Sequence, residues 1–332
     1  MLSAPLTSKV YLASGSVHKG LARDIAERMG VELHNDEIKV FPSGERYFRY
    51  ADSVRGKHVL IIQSLVESPS GSVNDALLEL VLMIDAARRA SAREISVAMP
   101  YMAYMRQDRK AIGREPISAA AVINMLQATG ADRLVSVDMH SAQTQAVFDG
   151  PFDHLTAEGI IRGVLSERVS ADPNSYIVVS PDGGRAKTSE IYAEALGIDV
   201  VHMPKKRDKQ NGGVTHPDFI EDVQDKNCIL IDDMIDTAGT IVSATNTLSQ
   251  SGAKSIVVAA THGVLSDPAL ERISQSSITE LILTDTAPME KFKEALGEKL
   301  SIIPTAPILA SSLEAIVTRD SLLQIFEGRN YS

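Results

Sequence analysis

The chain has 332 residues, of which 44% are hydrophobic and 23% charged, and its formal net charge is −10; at about 150 residues per domain, this length predicts two domains. The acidic balance argues against a nonspecific nucleic-acid binder, and no run of about 18 apolar residues predicts a membrane span. The single cysteine, Cys228, excludes an intrachain disulfide, and the N-terminus lacks a signal-peptide pattern, so we expect a cytoplasmic protein.

Short apolar runs alternate with helical patterns through the first half of the chain. The predicted strands are 10–13, 58–63, 95–99 and 134–137, and the predicted helices are 18–29, 74–90 and 118–129. Gly30 and Gly130 directly follow two of these helices, at the position where glycine commonly ends a helix.

The second half repeats this alternation. Its predicted strands are 177–179, 200–203, 228–231, 255–260 and 281–283, with one helix ending at Leu196 and another at 241–251. Strands that alternate with helices indicate parallel sheets with helical crossovers. We therefore expect an α/β fold of two similar domains, 1–150 and 151–332, each a mostly parallel sheet flanked by helices. About the last 25 residues are expected to pack back on the N-terminal domain.

An acidic and hydroxyl-rich segment follows the predicted strand 228–231. Asp232 and Asp233 stand at its carboxyl end, and Asp236 begins a turn of small residues that leads into a helix. Ligands of open α/β sheets bind beyond the carboxyl ends of strands, and a helix N-terminus offers N–H groups to a phosphate. The backbone of 237–240 would hold a 5-phosphate, while the paired carboxylates suit sugar hydroxyls or a magnesium ion. For an Asp-Thr pair alone, a solvated turn and helix cap would be the simpler interpretation.

A basic segment follows the predicted strand 95–99. Arg106, Arg109 and Lys110 place three cations within five residues, just after Tyr101 and Tyr104. This combination suits a nucleotide, because the cations attract phosphates and a guanidinium plane can stack on a base. A solvated run of charges is the alternative for this segment taken alone.

Two further pairs suggest phosphate chemistry. His140 and Asp182 both follow predicted strands, one in each half, and together suit a divalent cation, although magnesium prefers oxygen ligands over imidazole. Lys205 and Arg207 lie in the longest irregular stretch, 205–217, where they could close over a reacting phosphate. A structural histidine and an exposed basic loop are the respective alternatives.

Taken in order, these segments resemble the ribose-phosphate diphosphokinase family, also called phosphoribosyl pyrophosphate (PRPP) synthases. The most specific strings are 106–110, 138–140, 180–182 and 230–240. The last of these is shared with phosphoribosyltransferases, whereas 106–110 together with Lys205 and Arg207 is not.

The resemblance implies two phosphoribosyltransferase-like domains that use ATP, ribose 5-phosphate and Mg²⁺ to make PRPP and AMP. It also implies a homo-oligomer built from dimers, commonly a hexamer, in which the segment 41–45 completes the ATP pocket of a neighbouring subunit. The site residues that it implies are Lys205 and Arg207 for catalysis; Phe41, Ser43, Gly44, Glu45, Arg106, Gln107 and Asp108 for ATP; Asp232, Asp233, Asp236, Thr237, Ala238, Gly239 and Thr240 for ribose 5-phosphate; and His140 and Asp182 for the metal.

Two departures from the family pattern bear on the site. Ser43 stands where the family has an aspartate, so a charge is lost and the choice of nucleotide is expected to loosen. Arg185 stands where a glycine is expected; if that glycine needs a positive φ, the local path must change. Two hypotheses compete with this one. The chain could be a non-catalytic homologue that regulates an active subunit, or it could be a phosphoribosyltransferase.

Overall fold

The computed structural model describes residues 2, 7–181, 184–203, 206–207, 214–215 and 220–325. The chain divides into two units of internal contacts. The first contains 1–157, 286–288 and the residues from 304 onward, and the second contains 158–285 and 289–303.

The first unit is built on five parallel strands. They are β1 (Val10–Ser14), β4 (His58–Ile62), β5 (Glu94–Met99), β6 (Arg133–Val137) and β7 (Phe152–Leu155), and they lie side by side in that order. Every residue of β1 and β4 is buried, as expected for strands covered on both faces. The helices of this unit are α1 (Lys19–Met29), α2 (Val73–Arg89), α3 (Ser118–Thr129) and, near the C-terminus, α9 (Ala306–Thr318), which packs against α1.

A small antiparallel hairpin is added to this unit. Strands β2 (Glu37–Val40) and β3 (Arg46–Arg49) pair from Glu37 opposite Arg49 to Val40 opposite Arg46. The hairpin presents the segment 41–45 at its tip, and β3 packs against α2.

The second unit contains six parallel strands. In spatial order they are β15 (Leu300–Ile303), β14 (Glu280–Thr284), β13 (Ser255–Gly263), β12 (Asn227–Ile235), β8 (Tyr176–Ser180) and β9 (Val200–His202). Its helices are α4 (Glu158–Val169), α5 (Ala186–Leu196), α6 (Gly239–Gln250), α7 (Ala269–Ser274) and α8 (Glu290–Leu296). After β8 the chain forms β9 on one side of β8 in the sheet, and it later forms β12 on the other side of β8. The strand order therefore reverses beside β8 and β12, where open α/β sheets bind ligands.

Strand β12 is longer than its apolar run predicts. Its pairing with β8 ends at Leu230 opposite Val179, but its pairing with β13 continues to Ile235 opposite Gly263. The last part of β12 therefore has a strand neighbour on one side, and Arg185, which follows β8 in the chain, contacts its side chains.

The predicted α/β fold with mostly parallel sheets is confirmed. The stretch predicted as irregular from residue 205 contains a short antiparallel ribbon, β10 (Lys206–Arg207) with β11 (Val214–Thr215). The hairpin β2–β3, strands β7 and β15 and helices α4, α7, α8 and α9 were not predicted as elements. Within the described part of the chain, no helix combines the length and hydropathy needed to span a membrane.

Candidate active site

The carboxylate pair predicted to face a sugar lies in the last part of β12. Asp232 and Asp233 belong to the strand itself and do not follow it, because the backbone remains paired with β13. Both side chains are half-buried, and the backbone N–H of Asp233 donates to Oδ1 of Asp232 over 2.8 Å. The strand pairing thus holds the two carboxylates at the carboxyl edge of the sheet.

The turn after β12 opens the N-terminus of α6. Ala238 occupies the N-cap position in the left-handed region, with φ 59° and ψ 6°, and its methyl group cannot accept a hydrogen bond from the helix. Thr237, Gly239 and Thr240 are exposed. A helix start with a positive dipole end and no side-chain acceptor at its N-cap is a suitable cradle for a phosphate.

Arg185 contacts both carboxylates. Its Nε lies 2.9 Å from Oδ1 of Asp232, and its Nη2 pairs with Oδ1 of Asp233. Arg185 is the N-cap residue of α5 with φ −104° and ψ 1°, so the backbone there does not require a glycine. The expected conflict at this position does not arise. The side chain crosses to the edge of β12 because β8 and β12 are neighbours in the sheet.

The electrostatic state of this pair depends on the three groups together. Burial raises the pKa of Asp232 to about 7; the positive charge of Arg185 opposes that rise, and the negative charge of Asp233 adds to it. Arg185 therefore favours the ionised form of a carboxyl group whose surroundings disfavour it.

Another arginine reaches the phosphate turn. Arg272 of α7 donates from Nη1 to the carbonyl oxygen of Thr237 over 2.9 Å, and the same nitrogen would lie 3.3 Å from a Cβ added at Gly239. A side chain at position 239 would therefore crowd the guanidinium. No motif in the sequence pointed to Arg272, because it reaches the turn only through the packing of α7 against α6.

The predicted ATP segment is a structured turn in the first unit. Met102 and Met105 are buried, whereas Arg106, Arg109 and Lys110 are exposed. The turn is shaped by Tyr104, which has a φ of 70° and whose hydroxyl donates to Oδ1 of Asn74 on α2, a residue to which no role had been assigned. The buried methionines anchor the segment, and its cations are presented to solvent.

Asp108 and the His140 turn are brought together in the first unit. Ser141 donates from its hydroxyl to Oδ2 of Asp108 over 2.8 Å, and the neighbouring His140 is exposed. The backbone N–H of Met139 donates to Nε2 of His154 over 2.8 Å, so β7 supports the turn. No motif in the sequence pointed to this role of His154.

The hairpin tip carries the other predicted ATP residues. The N–H of Phe41 donates to the carbonyl of Glu45, and the N–H of Gly44 donates to the carbonyl of Phe41, each over 2.8 Å. Gly44 has a φ of 90°, which a residue with a Cβ rarely adopts. The Phe41 ring remains 47% exposed, and the Ser43 hydroxyl donates to Oε2 of Glu45 over 2.8 Å. The exposed ring is free to contact another molecule.

A buried ion pair anchors this hairpin to its unit, a feature that the sequence did not suggest. Nη1 of Arg46 lies 2.9 Å from Oε2 of Glu79 on α2. Oε1 of Glu79 also accepts the N–H of Ser16 over 2.6 Å and the side-chain amide of Gln63 over 2.9 Å. The first residue of β3 is thereby fixed to the core.

Three predicted residues are not located by these contacts. Asp182 and Lys205 lie outside the described residues, and only the backbone of Arg207, in β10, is described. Among the residues that the structure describes, no group of three or more His, Cys, Asp or Glu side chains is arranged to hold a metal ion.

Comparison with known proteins covers nearly the whole chain. Residues 10–130 match the family model described as the N-terminal domain of ribose phosphate pyrophosphokinase, and residues 201–327 match the phosphoribosyl synthetase-associated domain. A ribose-phosphate pyrophosphokinase of Bifidobacterium longum is 41% identical over 334 residues, covering 98% of this chain and 96% of that protein. One from Corynebacterium efficiens is 42% identical, with 96% of each chain covered. The crystal structure of phosphoribosylpyrophosphate synthetase from Mycobacterium smegmatis is 39% identical and has a TM-score of 0.85, covering 94% of this chain and 99% of that one.

Proposed function

The chain belongs to the ribose-phosphate pyrophosphokinase family, and from this premise we propose that it transfers the β,γ-diphosphoryl group of ATP to the C1 hydroxyl of ribose 5-phosphate. The products are PRPP, a precursor for nucleotide biosynthesis, and AMP. The protein is an enzyme, a transferase. Relatives that carry the enzyme's name match it at about 40% identity over nearly its full length, which favours catalysis over a non-catalytic regulatory role.

The observation that carries the proposal for the acceptor is the carboxyl end of β12 together with the start of α6. The N–H groups of 237–240 are suited to the 5-phosphate, and Asp236 borders the same turn. Asp232 and Asp233 supply acceptors for ribose hydroxyls. The site thus offers donors for one phosphate and acceptors for a diol, the two groups that ribose 5-phosphate combines.

For the donor, we assign ATP to the segment that follows β5 in the first unit. Arg106, Gln107 and Asp108 lie on an exposed turn, and Ser141 links Asp108 to the His140 turn. The exposed Phe41 at the hairpin tip supports a contribution from a second subunit, in a homo-oligomer built from dimers with the hexamer as the expected form.

We assign Mg²⁺ to His140 and Asp182. The carboxylate would suit an ion whose other ligands come from ATP phosphates and water, while His140 would serve the site as the ligand type that magnesium accepts less readily than oxygen. The exposed His140 with the nearby Asp108 makes this edge accessible to such a complex. When bound, the ion would neutralise charge on the phosphates. A cytoplasmic location fits a protein with one buried free cysteine.

The reaction forms one bond and breaks one. The C1 oxygen of ribose 5-phosphate attacks the β-phosphorus and loses its proton, while the bond from that phosphorus to the α-phosphate oxygen breaks and AMP leaves. Such transfers depend on positioning and charge stabilisation more than on covalent catalysis. Lys205 and Arg207 are proposed to supply positive charge to the transferred group.

The direct test is product analysis. The protein is incubated with ATP, Mg²⁺ and ribose 5-phosphate, and mass spectrometry is used to look for PRPP and AMP in equal amounts. Omission of ribose 5-phosphate should abolish both products. Release of ADP without PRPP would contradict the reaction, and consumption of added PRPP with a base would indicate a phosphoribosyltransferase.

A further inference from the structure

We propose that Arg185 is a positioning residue of the ribose 5-phosphate site, which holds Asp232 and Asp233 side by side as acceptors for two sugar hydroxyls. This inference rests on the acceptor site proposed above. It concerns a residue that stands at a position where the family resemblance predicted glycine, and which therefore had no expected role.

The backbone makes this contact possible. Arg185 lies directly before α5, and its carbonyl accepts the N–H of Ser189 over 2.9 Å, so its main chain is fixed by the first turn of the helix. Pairing of β12 with β8 stops at Leu230, three residues before Asp233. The side chain of Arg185 enters the place beside β12 that a longer β8 would have occupied.

The geometry of the contact is that of a guanidinium fork. Two different nitrogens of Arg185 engage two different carboxylates, Nε with Asp232 and Nη2 with Asp233. Both contacts are made to Oδ1 atoms, and Oδ1 of Asp232 also accepts the N–H of Asp233. Because a carboxylate offers about four lone-pair sites on two oxygens, these contacts preserve capacity for a hydroxyl donor.

The positive charge of Arg185 compensates the negative charges of Asp232 and Asp233. Two adjacent carboxylates in a half-buried site repel each other, and burial alone disfavours the charge on Asp232. A protonated carboxyl would offer a donor where the sugar hydroxyl needs an acceptor. Arg185 supplies the compensating cation from within the chain, at 21% exposure of its own side chain.

The test is the effect of Arg185→Gln on the two substrates separately. We expect the KM for ribose 5-phosphate to rise about tenfold or more, because hydrogen bonds to charged groups are lost, while the KM for ATP stays within about twofold of wild type. Arg185→Lys, which keeps the charge but not the fork, should recover part of the loss. An unchanged KM for ribose 5-phosphate would overturn the proposal, and so would a lower one, because Arg185 would then be obstructing the sugar.

A matched control comes from the same unit. Arg168 pairs with Glu280 over 2.6 Å at similar exposure, but at the amino end of β14, so Arg168→Gln should leave both KM values unchanged.

Should Arg185→Gln fail to fold, calorimetric binding of ribose 5-phosphate to Arg185→Lys decides the question: wild-type affinity overturns the proposal, and weaker binding supports it. Asp236→Asn and Thr240→Val test the acceptor site itself. If they raise the KM for ribose 5-phosphate and Arg185→Gln does not, the site stands and only this inference fails.

Discussion

Each unit contains an arginine that faces two carboxylates, but the two clusters differ in their surroundings. In the first unit, Arg46 contacts Glu79 over 2.9 Å and lies 3.7 Å from Asp75; the Arg46 and Glu79 side chains are 5% and 1% exposed. In the second unit, Arg185 contacts Asp232 and Asp233, and the exposure rises to 21% for the arginine and 22% for Asp232. The Arg46–Glu79 contact is therefore enclosed and the Arg185–Asp232 contact accessible, although Asp75 is itself 39% exposed and Asp233 9%.

The difference teaches that burial and position in the sheet, more than residue type, separate a structural ion pair from a candidate site. Glu79 receives donors from Arg46, Ser16 and Gln63, so both of its oxygens are engaged. The Asp232–Asp233 pair contacts Arg185 at the carboxyl edge of a sheet, where a ligand can approach.

The largest effect, on stability, is expected from removing the buried carboxylate that pairs with Arg46. Glu79→Leu removes the nearest carboxylate from the buried guanidinium of Arg46, which should lower the free energy of unfolding by about 3–5 kcal/mol. Urea denaturation of the purified protein measures this. Asp85→Asn, which breaks an exposed pair with Arg89 on the same helix, should leave the midpoint near wild type; equal losses in both variants would contradict the distinction.

Lys205, in the charged stretch 205–217, should affect catalysis and leave stability unchanged. Lys205→Ala removes positive charge that the transition state is proposed to need, so kcat should fall about 10²–10³-fold with little change in either KM. Steady-state kinetics and thermal denaturation of the same preparation provide the two readouts. A wild-type kcat would remove Lys205 from the mechanism.

The accessible cluster should also show a pH dependence. With its pKa raised to about 7 by burial, Asp232 is ionised above that pH and becomes protonated below it. Because only the ionised form accepts hydroxyls at both oxygens, kcat/KM for ribose 5-phosphate should fall about tenfold per pH unit below 7 and level off above it.

The substrate phosphate itself titrates near pH 6, so the comparison must be made with Asp232→Asn. In this variant, kcat/KM should no longer fall from pH 7 downward, but it should still fall near pH 6, where the substrate phosphate becomes protonated. Identical profiles for the two proteins would show that Asp232 does not control binding.

The smallest effect is expected at the hairpin tip that Arg46 anchors. Ser43 brings no charge and donates its hydrogen to Glu45, so the wild-type enzyme should use GTP or CTP to a measurable extent. Ser43→Asp should increase the preference for ATP by about tenfold, the contribution of one hydrogen bond to a charged group. Competition assays with mixed nucleotides measure the ratio, and strict ATP dependence of the wild type would refute the prediction.

Local patterns were sufficient for the α/β architecture and for most strands and helices up to β14. The boundaries of α3 agree with the prediction at both ends, and Gly130 ends it with a positive φ. The hairpin β2–β3 was missed because each strand has only four residues, half of them charged, and Phe48 is the one buried residue among the eight. Strand β12 was underestimated because it runs on along β13 through Asp232 and Asp233, which composition assigns to a turn.

The sequence by itself determined the family, the two parallel sheets and the short strings that carry phosphate chemistry, because these depend on residue order and spacing within single segments. Only the tertiary structure decided which charges meet. Arg185 and Asp232 come together because β8 and β12 are neighbours, and Arg272 reaches Thr237 because α7 packs on α6. These residues are far apart in the chain. They come within hydrogen-bonding distance through the order of the strands and the packing of the helices, which no local sequence pattern encodes.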